Sequence, residues 1–322
     1  MFKTKITDLL NIEYPIVGGT MMHLSKADLV AAVSDAGALG IMASANYLDK
    51  ESFRKDVKKV QQITKKPFAV NLNMFPSMRK IDNHDYIDVI LDEGVKVVET
   101  SGHKAPEEYI DRIKNAGLTL IHKCVGVRYA KKAESLGVDA VTVVGYENGG
   151  ATGALDVTTM CLTPRVVDEL SIPVIAGGGV CDGRGLLALL SLGAEGVIMG
   201  TRFLAAEECP LHRTVKDAIV NANELDTMLV LRSIGNTHRV WINQTARKVS
   251  EMEARGTTLE ELLPVITGEN AKKMYYDGNL DAGLMACGQG VGLIDKVKPA
   301  RDIVQDIMRE AHEALNRINR MV

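Results

Sequence analysis

The chain has 322 residues, 46% of them hydrophobic and 25% charged, with a formal net charge of −3. That composition suits a globular protein of one elaborated domain or two, and the lack of a basic stripe argues against nucleic acid as a partner. No apolar run approaches the roughly 18 residues of a membrane span, so no membrane partner is expected either. At the start, Met1-Phe2-Lys3-Thr4-Lys5-Ile6 lacks the apolar segment of a secretion signal, and a cytoplasmic location is the expectation.

Along the chain, eight short apolar runs read as strands, near 14–18, 39–43, 67–72, 95–100, 118–123, 140–144, 173–177 and 196–200. Helical patterns separate them. Ser25 and Asp28 resemble a capping box before Leu29-Val30-Ala31-Ala32. The prolines of Ala105-Pro106 and Thr163-Pro164 fit a helix first turn. Gly37, Gly94, Gly117, Gly137 and Gly193 each close a helical stretch before a β-rich run, where a residue with φ > 0 is wanted. Alternating units of this length fit parallel strands joined by helices. Eight of them predict a TIM (β/α)8 barrel rather than a doubly wound sheet.

The pattern changes after the eighth run. Residues 208–296 read as mostly helical and polar, with Thr258 and Glu261 as another capping box, and they predict a small, mostly helical cap inserted after strand eight. Residues Ile303, Val304, Ile307, Ala311, Leu315 and Ile318 lie on one face of a final amphipathic helix able to pack on the barrel exterior. The expected organisation is a barrel from 1–207 with 297–322, and a cap or substrate lid from 208–296. The 5 cysteines, at 124, 161, 181, 209 and 287, form no C-x-x-C pair, so neither a disulfide framework nor a metal site is expected. Cys124 reads as a small buried residue, and the single Trp241, within the cap region, as packing.

Chemistry in a barrel is carried by the C-terminal ends of its strands. The runs Pro173-Val174-Ile175-Ala176 and Gly196-Val197-Ile198-Met199 pass into Gly177-Gly178-Gly179 and Gly200-Thr201, with a helical stretch from Asp182 to Leu192 between. Bare backbone N–H groups at such ends hold phosphate, and glycine lets the ligand approach. The first run ends Gly18-Gly19-Thr20-Met21-Met22-His23, where two glycines allow a flat ligand or a simple tight turn. Asn71 ends the third run, as a donor and acceptor to a planar ring or as a loop cap. Lys123 ends the fifth, where burial demands a negative partner: a ligand anion, the electron-rich edge of a reduced flavin, or a carboxylate such as Glu99. After the sixth run comes Gly145-Tyr146-Glu147-Asn148-Gly149-Gly150-Ala151-Thr152-Gly153. His23, Tyr146 and His103 stand as sources of a proton, without a choice among them.

These stretches are familiar together. Pro15-Ile16-Val17-Gly18-Gly19, Pro67-Phe68-Ala69-Val70-Asn71-Leu72, Ile121-His122-Lys123-Cys124, Gly177-Gly178-Gly179 with Asp182-Gly183-Arg184-Gly185, Met199-Gly200-Thr201-Arg202-Phe203-Leu204 and Glu208-Cys209-Pro210 resemble the nitronate monooxygenase family, formerly 2-nitropropane dioxygenases. The likeness runs from about residue 5 to 320 and is nearest the branch of NADH:quinone reductases; enoyl-acyl carrier protein reductase II is more distant. The resemblance implies an FMN-containing barrel with a small cap. By matching positions it implies the FMN phosphate on Gly178, Gly179, Gly200 and Thr201, and the ring near Gly19, Thr20, Met21, Asn71 and Lys123, with Gly150 at its edge.

One position departs. The family carries a histidine in a loop of the form E-x-G-G-H-x-G, and here Ala151 replaces it. Alanine cannot deprotonate a neutral nitroalkane, although a preformed nitronate needs no base. The expected function is therefore transfer of hydride from NADH or NADPH through FMN to a quinone or an electron-poor alkene, with Lys123, His23 and Tyr146 in the chemistry. Oxidation of nitronates by O2, a flavin-free phosphate-binding barrel, and a flavin binder without catalysis are the rivals. The expected partner is a small-molecule substrate, and the expected state a monomer or homodimer.

Overall fold

A computed structural model describes residues 2–75 and 82–321. Its first element is a helix, Lys5–Leu10, started by a reciprocal capping box between Thr4 and Thr7. The strands in chain order are β1 (Ile16–Gly18), β2 (Gly40–Ala43), β3 (Phe68–Asn73), β4 (Val97–Ser101), β5 (Thr119–Cys124), β6 (Ala140–Val144), β7 (Gly150–Ala151), β8 (Val174–Gly177), β9 (Gly196–Met199), β10 (Thr227–Val230) and β11 (His238–Trp241). Eight of them form one parallel sheet in the order β1-β9-β8-β6-β5-β4-β3-β2. A parallel bridge between Val17 and Leu39, just before β2, joins the two ends and makes the sheet a closed TIM barrel. All eight runs expected as strands are these eight. The five helix-closing glycines have φ between 69° and 92°.

Alternation along each strand divides the core in two. On β3, Ala69 points into the barrel, while Val70 and Leu72 point outward to the helices. The interior holds Val17, Ile41, Ala69, Val97, Ile121, Ala140, Ile175 and Ile198. Ile6, Leu10 and Ile12 pack into the same cluster, so the first helix and the turn after it plug the end where the strands begin. Thr4 Oγ1 pins that plug by donating to the carbonyl of Glu195, just ahead of β9, at 2.5 Å. The apolar filling stops about half way up. The next inward residues are Asn71, Glu99, Lys123 and Thr142, so the interior turns polar towards the C-terminal ends.

Helices follow the strands as the sequence pattern predicts, from Ala27–Asp35 after β1 to Gly183–Ser191 after β8. The helix expected after β9 is delayed by about a hundred residues. Ala300–Asn319 fills that place, packed between Gly183–Ser191 and Ala27–Asp35. At the contact, a Cβ on Gly183 would collide with the backbone of Ile307 and Ala311. The amphipathic C-terminal stretch is thus the eighth barrel helix rather than an addition outside it.

The intervening segment carries the helices Arg213–Val220, Gln244–Ala254, Leu259–Ile266 and Gly268–Asp277. It also carries the antiparallel hairpin β10–β11, which the mostly helical expectation did not include. Val230, Leu231, Val240, Ala246, Val249 and Leu262 form its own small core. β7, in the loop after β6, pairs with β11 and makes a three-stranded sheet shared by barrel loop and insertion. No helix of the described residues is long and apolar enough to cross a membrane.

Candidate active site

The polar inner layer converges on one carboxylate. Glu99 is fully buried on β4, level with Asn71 on β3. Its Oε2 accepts from Asn71 Nδ2 at 2.6 Å, Thr20 Oγ1 at 2.8 Å and Lys123 Nζ at 3.1 Å. Asn71 Nδ2 also lies 3.1 Å from Ser101 Oγ. Lys123 thus has the carboxylate partner left open by its sequence, and the partner is Glu99. The cause is register. Inward positions of β3, β4 and β5 are adjacent, and three donors surround the only anion among them. Glu99 Oε1 and Thr142 Oγ1 are also buried but have no protein hydrogen-bond partner, an uncommon condition in a folded core.

The opposite side of the mouth is built from backbone. Gly178 and Gly179, after β8, have φ of 105° and 75°, left-handed values that a side chain resists. A Cβ on Gly178 would come within 2.6 Å of Thr159 Oγ1 and 3.1 Å of the Gly145 nitrogen. Thr159 is held in turn by Glu147, whose Oε2 accepts from its N–H at 2.8 Å. The Thr159 hydroxyl lies 2.9–3.0 Å from Glu147 Oε2 and the carbonyls of Gly177 and Gly178. Gly200 is different: a Cβ there would meet nothing nearer than Met21 at 3.8 Å. Thr201 Oγ1 accepts from the N–H of Gly288, and Gln289 N–H donates to the Glu147 carbonyl, so the segment after the insertion closes against these loops. Sequence reasoning missed Gly288 and gave Glu147, within the run after the sixth strand, no separate role. The run Cys287-Gly288-Gln289-Gly290-Val291-Gly292, with alternate glycines, was the available signal.

The other expected residues fall into place around these two sides. At Gly18 the space of a Cβ is taken by Val33 at 3.1 Å, and at Gly19 by the Gly200 backbone at 3.2 Å, so close approach between segments of the chain uses both glycines. Met21, half-buried, bonds through its N–H to Ser25. His23 has φ of 66°, donates from its backbone to Asn46 and accepts there from Tyr276. Its ring faces Gly268 at the start of the helix Gly268–Asp277. Burial, aided by the charges of Lys272 and Lys26, lowers its pKa to about 4. Tyr146 meets a different part of the insertion: the Arg239 guanidinium lies 4.5 Å over its ring and donates to its carbonyl at 3.0 Å. Arg239 is buried, and its Nη2 has no protein partner.

Gly150 sits in β7 with φ of 82°, opposite Arg239. His103, exposed at the rim, meets Phe75 edge-on at 4.8 Å. Cys124 is buried in the outer core, with burial pushing its thiol up to about 12. Trp241 is packed half-buried against the same core. Among the described residues no three His, Cys, Asp or Glu side chains gather as a metal site. Thr20, Asn71 and Lys123 are therefore brought together through Glu99, and Gly178, Gly179 and Thr201 through Glu147 and Gly288.

Comparison with known proteins is consistent along the whole chain. The nitronate monooxygenase family model matches residues 3–86 and 73–310. A (3aS,4S,5R,7aS)-5-hydroxy-7a-methyl-1-oxo-octahydro-1H-indene-4-carboxyl-CoA dehydrogenase of Mycobacterium tuberculosis is 33% identical, covering 96% of each chain. A probable nitronate monooxygenase of Staphylococcus saprophyticus is 30% identical, over 98% of this chain and 99% of its own. The solved structure of FabK from Thermotoga maritima superposes with a TM-score of 0.90 at 36% identity over 100% of both chains.

Proposed function

The chain belongs to the nitronate monooxygenase family and is an oxidoreductase; from that premise we propose an FMN-dependent enzyme that passes hydride from NADH or NADPH to an organic acceptor. The carrying observation is the pairing, across one barrel mouth, of the Glu99–Lys123–Asn71 cluster with the glycine loops after β8 and β9. Two features support FMN as the group between them. Gly178, Gly179, Gly200 and Thr201 offer backbone to a phosphate, and at Gly200 the approach is open. The Lys123 side chain, partly exposed at the mouth, offers a ring a charged donor.

When bound, FMN would supply storage of two electrons between a nicotinamide and the acceptor. The residues of the chain then have separate tasks. Lys123 would place positive charge beside the ring, and Glu99 holds the ammonium where it stands. Asn71 and Thr20 are oriented by the same carboxylate. Gly18, Gly19, Met21, Gly150 and Gly177 would border the group. Residues 208–296 serve as the cap. We take the working state to be a monomer or homodimer in the cytoplasm, acting on small molecules.

An electron-poor alkene or a quinone is the proposed acceptor. Ala151 leaves the position of the family histidine without a base of its own, and a relative named as a carboxyl-CoA dehydrogenase points to acyl thioesters. The second reading, oxidation of preformed nitronates with O2, is favoured by the family name and by the same alanine.

Anaerobic titration of the purified protein with NADH, and then NADPH, tests the proposal. Absorbance near about 450 nm, the region of an oxidised flavin, is expected to bleach. A yellow protein that neither nicotinamide bleaches, but which consumes O2 with propionate 3-nitronate, moves the assignment to the second reading. A colourless protein that does not take up FMN overturns both.

A further inference from the structure

Chemistry at a carbon activated by a carbonyl or nitro group needs a partner for the proton on that carbon. Four of the 7 histidines stand on strands or loops around the barrel mouth. His122 lies behind the wall, its Nδ1 at 2.9 Å from Thr100 Oγ1. His23 faces the start of a helix of the insertion, and His103 lies exposed against Phe75. His238 differs from all three. It is half-buried on β11, directly opposite Ala151 on β7.

Directly opposed residues of an antiparallel pair project from the same face, with Cβ atoms about 5 Å apart. The imidazole therefore stands beside a methyl group, on the face where the family carries its loop histidine. Next along the strand, Arg239 turns to the other face and covers Tyr146. On the side of His238, the titratable group close enough to influence it is His103, from the loop after β4. His238 thus lies between the loops that follow β4 and β6, on the part of the mouth where β5 carries Lys123.

The ring is held in one tautomer. Nδ1 lies 2.7 Å from the Asn236 carbonyl, which can only accept. Nδ1 must carry the hydrogen, and Nε2 of the neutral ring keeps its lone pair. Burial lowers the imidazole pKa, the Asn236 carbonyl opposes that, and the charge of His103 adds to the lowering. At neutral pH the group is a resting base.

We propose that His238 Nε2 accepts the proton from the substrate carbon next to the activating group. The C–H bond breaks, its proton bonds to Nε2, and its electron pair remains on the substrate as an enolate or nitronate. The reverse transfer, from imidazolium to the carbanion, delivers the proton that alkene reduction requires. The proposal rests on the reading of this mouth as an oxidoreductase site. Its test does not depend on a nicotinamide.

The test is hydrogen–deuterium exchange at the carbon of nitroethane, followed by NMR with the protein as purified in D2O. Wild-type protein is expected to speed exchange above buffer, and His238→Gln to lose about 100-fold of that gain, within the usual range for a positioned base. Added imidazole is expected to restore exchange to His238→Gly. Ala151→His in the His238→Gln background should restore part of it, because the new ring would stand on the same face. Urea midpoints within error of wild type identify folded variants. Wild type no faster than buffer, a folded His238→Gln that keeps wild-type exchange, or a folded His238→Gly that imidazole leaves unchanged overturns the proposal. Failure of the NADH titration would instead strike the proposed function and leave the exchange result standing.

Discussion

The two sides of the barrel mouth solve one problem with different materials. On the β3–β5 side, side chains do the work: a fully buried carboxylate gathers a lysine, an amide and a hydroxyl. On the β8–β9 side, backbone does it: glycines with left-handed torsions pack against a threonine that a second glutamate holds. The first side is sensitive to removing atoms or charge. The second is sensitive to adding atoms, since its chemistry is the absence of Cβ. A charged layer also depends on every partner being present, whereas the backbone cradle leans on one ionisable group, Glu147.

Substitutions can break this contrast. The largest effect is expected at Gly178→Ala. The new methyl meets Thr159 and Gly145 at φ of 105°, and left-handed strain plus overpacking should cost about 2–4 kcal/mol. Urea denaturation measures it, and a loss under about 0.5 kcal/mol would show that the loop yields. Next comes Glu99→Ala, which leaves the Lys123 ammonium without its anion. Breaking a buried pair costs about 3–5 kcal/mol, and the 21% exposure of the Lys123 side chain reduces this to about 2 kcal/mol. In a double-mutant cycle, Lys123→Met should recover part of that loss, with a coupling of about 1 kcal/mol. Strict additivity would mean that the two charges are independent.

Two smaller effects sharpen the comparison. Gly200→Ala places a methyl in open space, so stability should change by less than about 0.5 kcal/mol. FMN retention on gel filtration should nevertheless fall; unchanged retention would remove Gly200 from the cradle. Part of the pH dependence should belong to the side-chain half. His122, on β5 behind Lys123, has its pKa lowered from 6.5 to about 4, chiefly by burial. The unfolded chain then binds a proton that the folded one refuses. Stability should therefore be full above pH 6.5 and fall as the pH drops towards about 4. His122→Gln should flatten that fall in urea midpoints measured at pH 7, 6 and 5, and Gly200→Ala should leave it intact. An unaltered slope in His122→Gln would assign the acid sensitivity elsewhere.

Much of the barrel was legible beforehand. Its strands are short apolar runs closed by turn glycines, and such signals act within a few residues. The glycine loops at the mouth were legible for the same reason: Gly177-Gly178-Gly179 and Gly200-Thr201 follow directly on strand ends. Lys123 announced itself as a charge inside an apolar run. Glu99 carried the same signal, in Val97-Val98-Glu99, and was read only as one partner Lys123 could have. Its role as the centre of the cluster depends on three strands lying in register.

The features beyond local reach are those made by distant pairing. β7 is two residues long and has no propensity of its own; it exists because β11, almost ninety residues later, offers a ladder. The same pairing sets His238 against Ala151. The last helix is plainly amphipathic in sequence, yet its seat between Gly183–Ser191 and Ala27–Asp35 is fixed only when the closed barrel leaves one gap in its outer ring. Sequence alone determined the strands, the turns and which residues must face inward, because periodicity and backbone torsion are local. The tertiary structure decided which inward residues meet, because register and barrel closure are settled only when the whole core packs.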